Sequence, residues 1–177
     1  MNVVNDRRHA CLVVATELEA HRNECHYTQE PIRWSWHNSR TISYPFFADC
    51  SSGVTAVCWY AHGNDPNGMN FLAGDTETIL SHAETHGLLV AKHQILPADF
   101  ILFGPGPKPV HVVMAMNPGT DPDPWCWSHG QEGDPHFVRL SVLESLGAPT
   151  FVHNHTDIIT VVPDPKPVPY HGAPRPA

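Results

Sequence analysis

Phe47-Ala48-Asp49-Cys50-Ser51-Ser52-Gly53-Val54-Thr55-Ala56-Val57-Cys58-Trp59-Tyr60 reads as a turn followed by a helix. Asp49 or Ser51 can cap the first turn, and Val54, Val57, Cys58 and Ala61 recur at i, i+3, i+4 and i+7, an apolar stripe that packs inward. This places Cys50 at the helix's N-terminal end. The orphan amides and the macrodipole favour negative charge there, and so favour the thiolate that does nucleophilic work. A backbone N–H at that same end can face a developing oxyanion. The rest of the chain is read as a scaffold that presents Cys50 to two downstream histidines.

The 177 residues suit one domain with a sizeable core. A formal net charge of −8 without a basic stripe argues against a dedicated nucleic-acid binder. No apolar run approaches the ~18–20 residues that span a bilayer. The N-terminal apolar run, Ala10 to Ala15, is shorter than a secretory core, so the expectation is synthesis in the cytoplasm without an export signal. Five cysteines (Cys11, Cys25, Cys50, Cys58, Cys126) are an odd number with no CxxC pair, which fits a reducing compartment and at least one free thiol.

Upstream, Asn5 to Arg22 reads as a helix with Cys11, Val14, Ala15 and Leu18 on its apolar face. Glu24 to Phe47 reads as an irregular, aromatic-rich loop, suited to walling a cleft or to pinning itself on the core. Downstream, Gly63 to Gly68 is a dense turn signal, and Thr76 to His86 suggests a second helix stopped by Gly87. Phe100–Phe103, Val110–Ala115, Trp125–Trp127, Phe137–Leu140 and Thr150–His153 read as strands of a small antiparallel sheet, with Ser141–Leu146 as a helical turn. The expected domain covers 1–160. From 161 to 177 proline dominates, as in an extended tail or a linker.

Alternation in the Val110–Ala115 strand puts His111, Val113 and Ala115 on one face and Val110, Val112 and Met114 on the other. A histidine in an apolar strand needs a partner, because an unpaired buried imidazole is costly. Trp125-Cys126-Trp127-Ser128-His129-Gly130 puts a second histidine at the end of the next strand. Cys50 as nucleophile, His111 as base and His129 as the group orienting the base make a Cys-His-His arrangement. The structural alternative is a satisfied core histidine at 111 and an exposed one at 129.

Asp49-Cys50-Ser51-Ser52-Gly53-Val54 resembles the nucleophile motif of the NlpC-type peptidases, papain-like cysteine enzymes that cut bacterial cell-wall peptides. Leu96-Pro97-Ala98-Asp99-Phe100-Ile101-Leu102-Phe103 is similar to that family's turn into a strand, usually Pro-Gly-Asp, with Ala98 as a departure. Val110 to Ala115 resembles its base-bearing strand, and Ser128-His129-Gly130 stands where the third, polar member is expected. Asp65-Pro66-Asn67-Gly68 followed by Thr76 to His82 further resembles the wall-lysis domains of actinobacteriophage endolysins.

The resemblance implies an α+β, papain-like fold, with N-terminal helices packed on a small antiparallel sheet. It implies a peptidoglycan endopeptidase or amidase that needs no cofactor or metal. Cys50 would attack, His111 would accept and return the proton, and His129 would hold His111. Asp49 would bind a substrate amine or simply cap the helix, and Tyr44 or Tyr27 would lie near the oxyanion. Its partner would be bacterial peptidoglycan, and if the tail is a linker a further binding module would follow it. The rival readings are a catalytically silent wall-binding or virion module on the same fold, and a zinc-dependent amidase. His82 and His86 stand at i, i+4, but Glu84 is displaced by one from the zincin pattern; His153-Asn154-His155 signals no third ligand.

Overall fold

A computed structural model describes residues 3–105, 108–131 and 133–154. The proline-rich stretch 161–177 and His155 lie outside the described residues. The chain folds as α+β, with helices packed against one larger and one smaller sheet.

Helix α1, Val3–Ala20, turns Cys11, Val14, Ala15 and Leu18 into the core, as the i, i+3, i+4, i+7 spacing requires. The segment after it is more ordered than its sequence suggests. Strand β1, Cys25–Tyr27, pairs in parallel with β2, Phe46–Ala48, and a 3-10 helix, Pro31–Asn38, bridges them. Trp36 from that bridge is buried beside Trp59, with ring centroids 6.4 Å apart.

Helix α2, Cys50–Tyr60, follows β2 after a single residue, Asp49, whose extended backbone and carboxylate cap it. The Ser52 amide donates to Asp49 Oδ1 at 2.7 Å, and the Asp49 amide donates to Ser52 Oγ at 2.8 Å. This reciprocal capping box satisfies two amides that would otherwise be orphaned. Every residue of α2 except Cys50 is buried. Full burial of a side chain such as Val54 or Val57 contributes about 1.5–3 kcal/mol, so packing rather than helix propensity holds this helix. Helix α3, Thr76–Thr85, is more peripheral and buries Ile79, Leu80 and Ala83.

The larger sheet contains β3 (Leu89–Val90), β4 (Phe100–Phe103), β5 (His111–Ala115), β6 (Trp125–Gly130), β7 (Gly133–Arg139) and β8 (Pro149–Val152). Its order is β3-β8-β4-β5-β6-β7, and every neighbouring pair is antiparallel. The expected strands are present, with β6 and β7 each longer than their apolar runs. A short helix α4, Leu140–Leu143, closes β7.

Alternation along β4 to β6 divides the core in two. Phe100, Leu102, Val112, Met114 and Trp127 join the cluster formed with α1 and α2. Ile101, Phe103, Val113, Ala115 and Cys126 pack with Leu140 and Leu143 on the opposite face. Asp99, at the foot of β4, ties the layers together. It accepts from Arg8 of α1 at 2.6 Å, from the Asn154 amide at 2.8 Å and from the Leu96 amide at 2.9 Å. His153 Nδ1 lies 2.6 Å from Asp99 Oδ2, the oxygen that also accepts from Leu96, so this histidine is engaged by the fold. The preceding residue, Ala98, has φ +71°, the left-handed region where glycine is unstrained. No helix among the described residues is long and apolar enough to cross a membrane.

Candidate functional site

Four of the five cysteines are buried, and Cys50 alone is partly open to solvent. Burial pushes the thiols of Cys25 and Cys126 up to about 12. Contact with the Cys11 thiol, together with burial, holds Cys58 well above the ordinary range, although it sits on the same helix as Cys50. A nucleophile must reach its substrate as a thiolate, which leaves Cys50 as the chemically available sulfur.

Cys50 is the first residue of α2, in the positive field of the helix terminus. It lines an open cavity of about 350 Å³ together with Tyr27, Gln29, Val110, His111 and Gln131. The helix brings Cys50 to this cavity, the end of β1 brings Tyr27, and the first residue of β5 brings His111. Cys50 and His111 thus share the walls of one cavity.

His111 Nε2 lies 2.9 Å from Ser128 Oγ, a contact between buried side chains of neighbouring strands. The expected orienting residue, His129, is elsewhere. Its Nε2 donates to the Ala48 carbonyl at 3.1 Å, and its ring stacks on Trp127 and lies near Phe46. The reason is register. Met114 pairs with Trp127 and Ala115 with Cys126, so His129 shares the helix-facing side with Trp127, while Ser128 shares the opposite side with His111, Val113 and Ala115.

His129 is fully buried rather than exposed, against the Gly53 turn of α2. Burial lowers its pKa, with the Ala48 carbonyl pulling the other way, and a neutral ring donating Nε2–H follows. His129 therefore fixes the backbone two residues before Cys50.

Tyr44 does not line the Cys50 cavity. Its ring stacks on His21 with centroids 4.6 Å apart, and burial pushes its hydroxyl up to about 12. Tyr27 is the tyrosine at the cavity. Its hydroxyl accepts from Gln29 at 3.0 Å, and burial raises its pKa, as do the neighbouring Cys50 and Asp49; the Gln29 bond opposes them. A phenol held protonated beside Cys50 is a hydrogen-bond donor to whatever occupies the cavity.

Asp49 is engaged as a cap: Ser51 Oγ and the Ser52 amide donate to one carboxylate oxygen, and Arg33 pairs with the other. These bonds account for its burial without a substrate amine.

His82 of α3 and His86, which caps its C-terminus, lie with ring centroids 4.1 Å apart and planes tilted by 39°, and His86 Nδ1 donates to the His82 carbonyl at 2.9 Å. Among the described residues no group of three or more His, Cys, Asp or Glu is arranged to hold a metal ion.

Sequence reading missed Ser128, because its signal is parity on β6, which becomes readable only once the β5–β6 register is known. Tyr27 went unchosen because β1 is three residues long and shows no periodicity. Comparison with known proteins returns no match: no family model fits the chain, and no curated protein or solved structure is significantly similar to it.

Proposed function

We propose that this protein is a cysteine hydrolase of bacterial peptidoglycan, papain-like in arrangement, and that it acts as a phage endolysin. One observation carries the reading: Cys50, at the N-terminus of a buried helix, and His111, at the start of an adjacent strand, open onto the same cavity. The wall as substrate rests on the motif resemblance around Cys50, Asp99 and His111.

In this mechanism His111 takes the Cys50 thiol proton, and Cys50 Sγ attacks the carbonyl carbon of a stem-peptide amide. The oxyanion faces the Cys50 amide and the Tyr27 hydroxyl. His111 returns its proton to the leaving amine as the C–N bond breaks, leaving a thioester. Water, deprotonated by His111, then releases the acid and restores the thiol. Ser128, bonded to His111 Nε2, holds the ring so that its other nitrogen serves the sulfur. The chain's own side chains supply every proton transfer, so the proposal includes no cofactor. It places synthesis in the host cytoplasm and action at the wall.

The test is digestion of purified peptidoglycan with fragment masses read by mass spectrometry. Cys50→Ala is expected to lower amine release by more than about 1000-fold with an unchanged melting midpoint. Cys58→Ala is expected to keep kcat while losing stability. Wild-type rates from Cys50→Ala would end the thiol mechanism.

A second reading is a silent wall-binding module on the same fold, in which the open cavity holds a wall peptide without cutting it. Wild-type protein that sediments with walls yet releases no fragments would establish it.

A further inference from the structure

A second cavity, of about 400 Å³, lies between the C-terminal end of α1, the start of β6 and the middle of β7. Trp125 and Phe137 give it an aromatic wall, and Glu19, Arg22, Asn117 and His136 converge on it. Trp125 is 40% exposed, unusual for so large a ring. Its orientation is fixed all the same. Arg139 stacks on it with the guanidinium 4.1 Å from the ring centroid, and its backbone amide donates to Asn117 Oδ1 at 3.1 Å.

The polar groups are also set in advance. His136 Nδ1 donates to the Asp134 carbonyl at 2.7 Å, so its Nε2 is an acceptor. Asn117 spends its oxygen on Trp125, which turns its amide NH₂ into the available donor. Glu19 adds an acceptor carboxylate and Arg22 a donor fork, and neither forms an ion pair among the described residues.

This composition narrows the ligand. A simple anion meets Glu19 as well as Arg22, and a simple cation meets Arg22 as well as Glu19. A purely apolar guest would strip water from four polar side chains without replacing its hydrogen bonds. What fits is a neutral ring with an apolar face to stack on an aromatic wall and hydroxyls that both donate and accept. That is the description of a pyranose.

We infer that this cavity is a glycan-binding subsite, and that it holds the sugar chain of the polymer whose peptide is cut at Cys50. The identity of the glycan rests on the hydrolase reading; the cavity's chemistry does not. Strand β6 runs between the two cavities, from Trp125 to Gly130, a span of roughly 16 Å at about 3.3 Å per residue. A substrate that engages both must extend along this strand, as a glycan carrying a stem peptide does.

The experiment titrates chitotetraose, a peptide-free N-acetylglucosamine oligomer, into the full chain by calorimetry. The proteins are wild type, Cys50→Ala, Arg22→Ala, His136→Ala and Trp125→Ala. Saturable binding is expected in wild type and Cys50→Ala alike, weakened at least about 5-fold in Arg22→Ala and His136→Ala and lost in Trp125→Ala. The two partly exposed polar positions keep the test valid if Trp125→Ala folds poorly.

Hydrolysis of a glycan-free stem peptide is measured alongside and is expected to be unchanged in Arg22→Ala. No saturable binding, or binding indifferent to these residues, overturns the subsite even if stem peptides are cut. Binding without any peptide hydrolysis keeps the subsite and removes the hydrolase reading instead.

Discussion

Asp49 and Asp75 each cap a helix through the same two bonds: the carboxylate takes the amide three residues on, and that residue's hydroxyl takes the cap's own amide. Beyond the cap the two helices share little. Asp49 is buried and paired with Arg33, and α2 is enclosed along its whole length apart from Cys50. Asp75 is exposed, and α3 is a peripheral helix that buries one face, with the adjacent rings of His82 and His86 at its C-terminal end. A capped helix start is thus a common device. The α2 start becomes a candidate site because β1 ends and β5 begins beside it, bringing Tyr27 and His111 to a cavity that the helix alone would not form.

The largest effect expected from this comparison is on stability. Asp49→Ala removes a cap and strands Arg33 in a partly buried setting, which should cost about 3 kcal/mol. Asp75→Ala removes only an exposed cap and should cost about 1 kcal/mol. Urea midpoints at constant m-value measure both. Equal losses would mean that the Arg33 pair adds nothing and that the two helix starts are energetically alike.

A smaller effect, on rate, sharpens the other half of the comparison. Ser128→Ala should lower kcat about 10-fold, shift the acid limb of its pH profile and leave folding nearly intact, with Ser128→Thr restoring most of the rate. His129→Gln should instead act on stability. A rate loss in Ser128→Ala with an unchanged pH profile would make Ser128 a packing residue.

These two neighbours also show what the sequence could and could not convey. Alternation along Val110–Ala115 is legible, and the core divides as it requires, with Val112 and Met114 toward the helices and Val113 and Ala115 away. The α2 cap, the inward stripe and the buried Cys58 are legible for the same reason: they depend on residues within one or two turns. Which residue of β6 faces His111 depends on inter-strand register, and a one-residue error exchanges Ser128 for His129. The β1–β2 pair is hidden more deeply, since two three-residue strands eighteen residues apart leave no periodic trace. Tyr27 was ambiguous with Tyr44 on that account.

His129 adds a pH dependence whose sign follows from its burial. Its pKa in the fold is below the ordinary 6.5 of the unfolded chain. Above 6.5 both states hold it neutral and its contribution is complete. As the pH falls below 6.5 the unfolded chain takes up a proton that the native ring resists, so stability is lost progressively toward the lowered value. The gap in urea midpoint between wild type and His129→Gln should therefore narrow between pH 7.5 and pH 5.5. A gap that stays constant would mean that another group governs the acid response.

The smallest effect concerns Ala98, where the resembled family carries glycine. At φ +71° alanine bears about 1 kcal/mol of backbone strain that glycine would relieve. Against this stand glycine's extra freedom in the unfolded chain, roughly 0.5–1 kcal/mol, and the loss of a fully buried methyl group, about 0.8 kcal/mol. The opposing contributions nearly cancel, so Ala98→Gly should change stability by less than about 1 kcal/mol. The outcome bears on the site because Asp99, next in sequence, receives Arg8, His153 and Asn154 and so anchors α1 against the sheet. A loss beyond about 2 kcal/mol would assign the methyl a packing role that its strain conceals; a gain of that size would mark the turn before β4 as the most strained point of the scaffold.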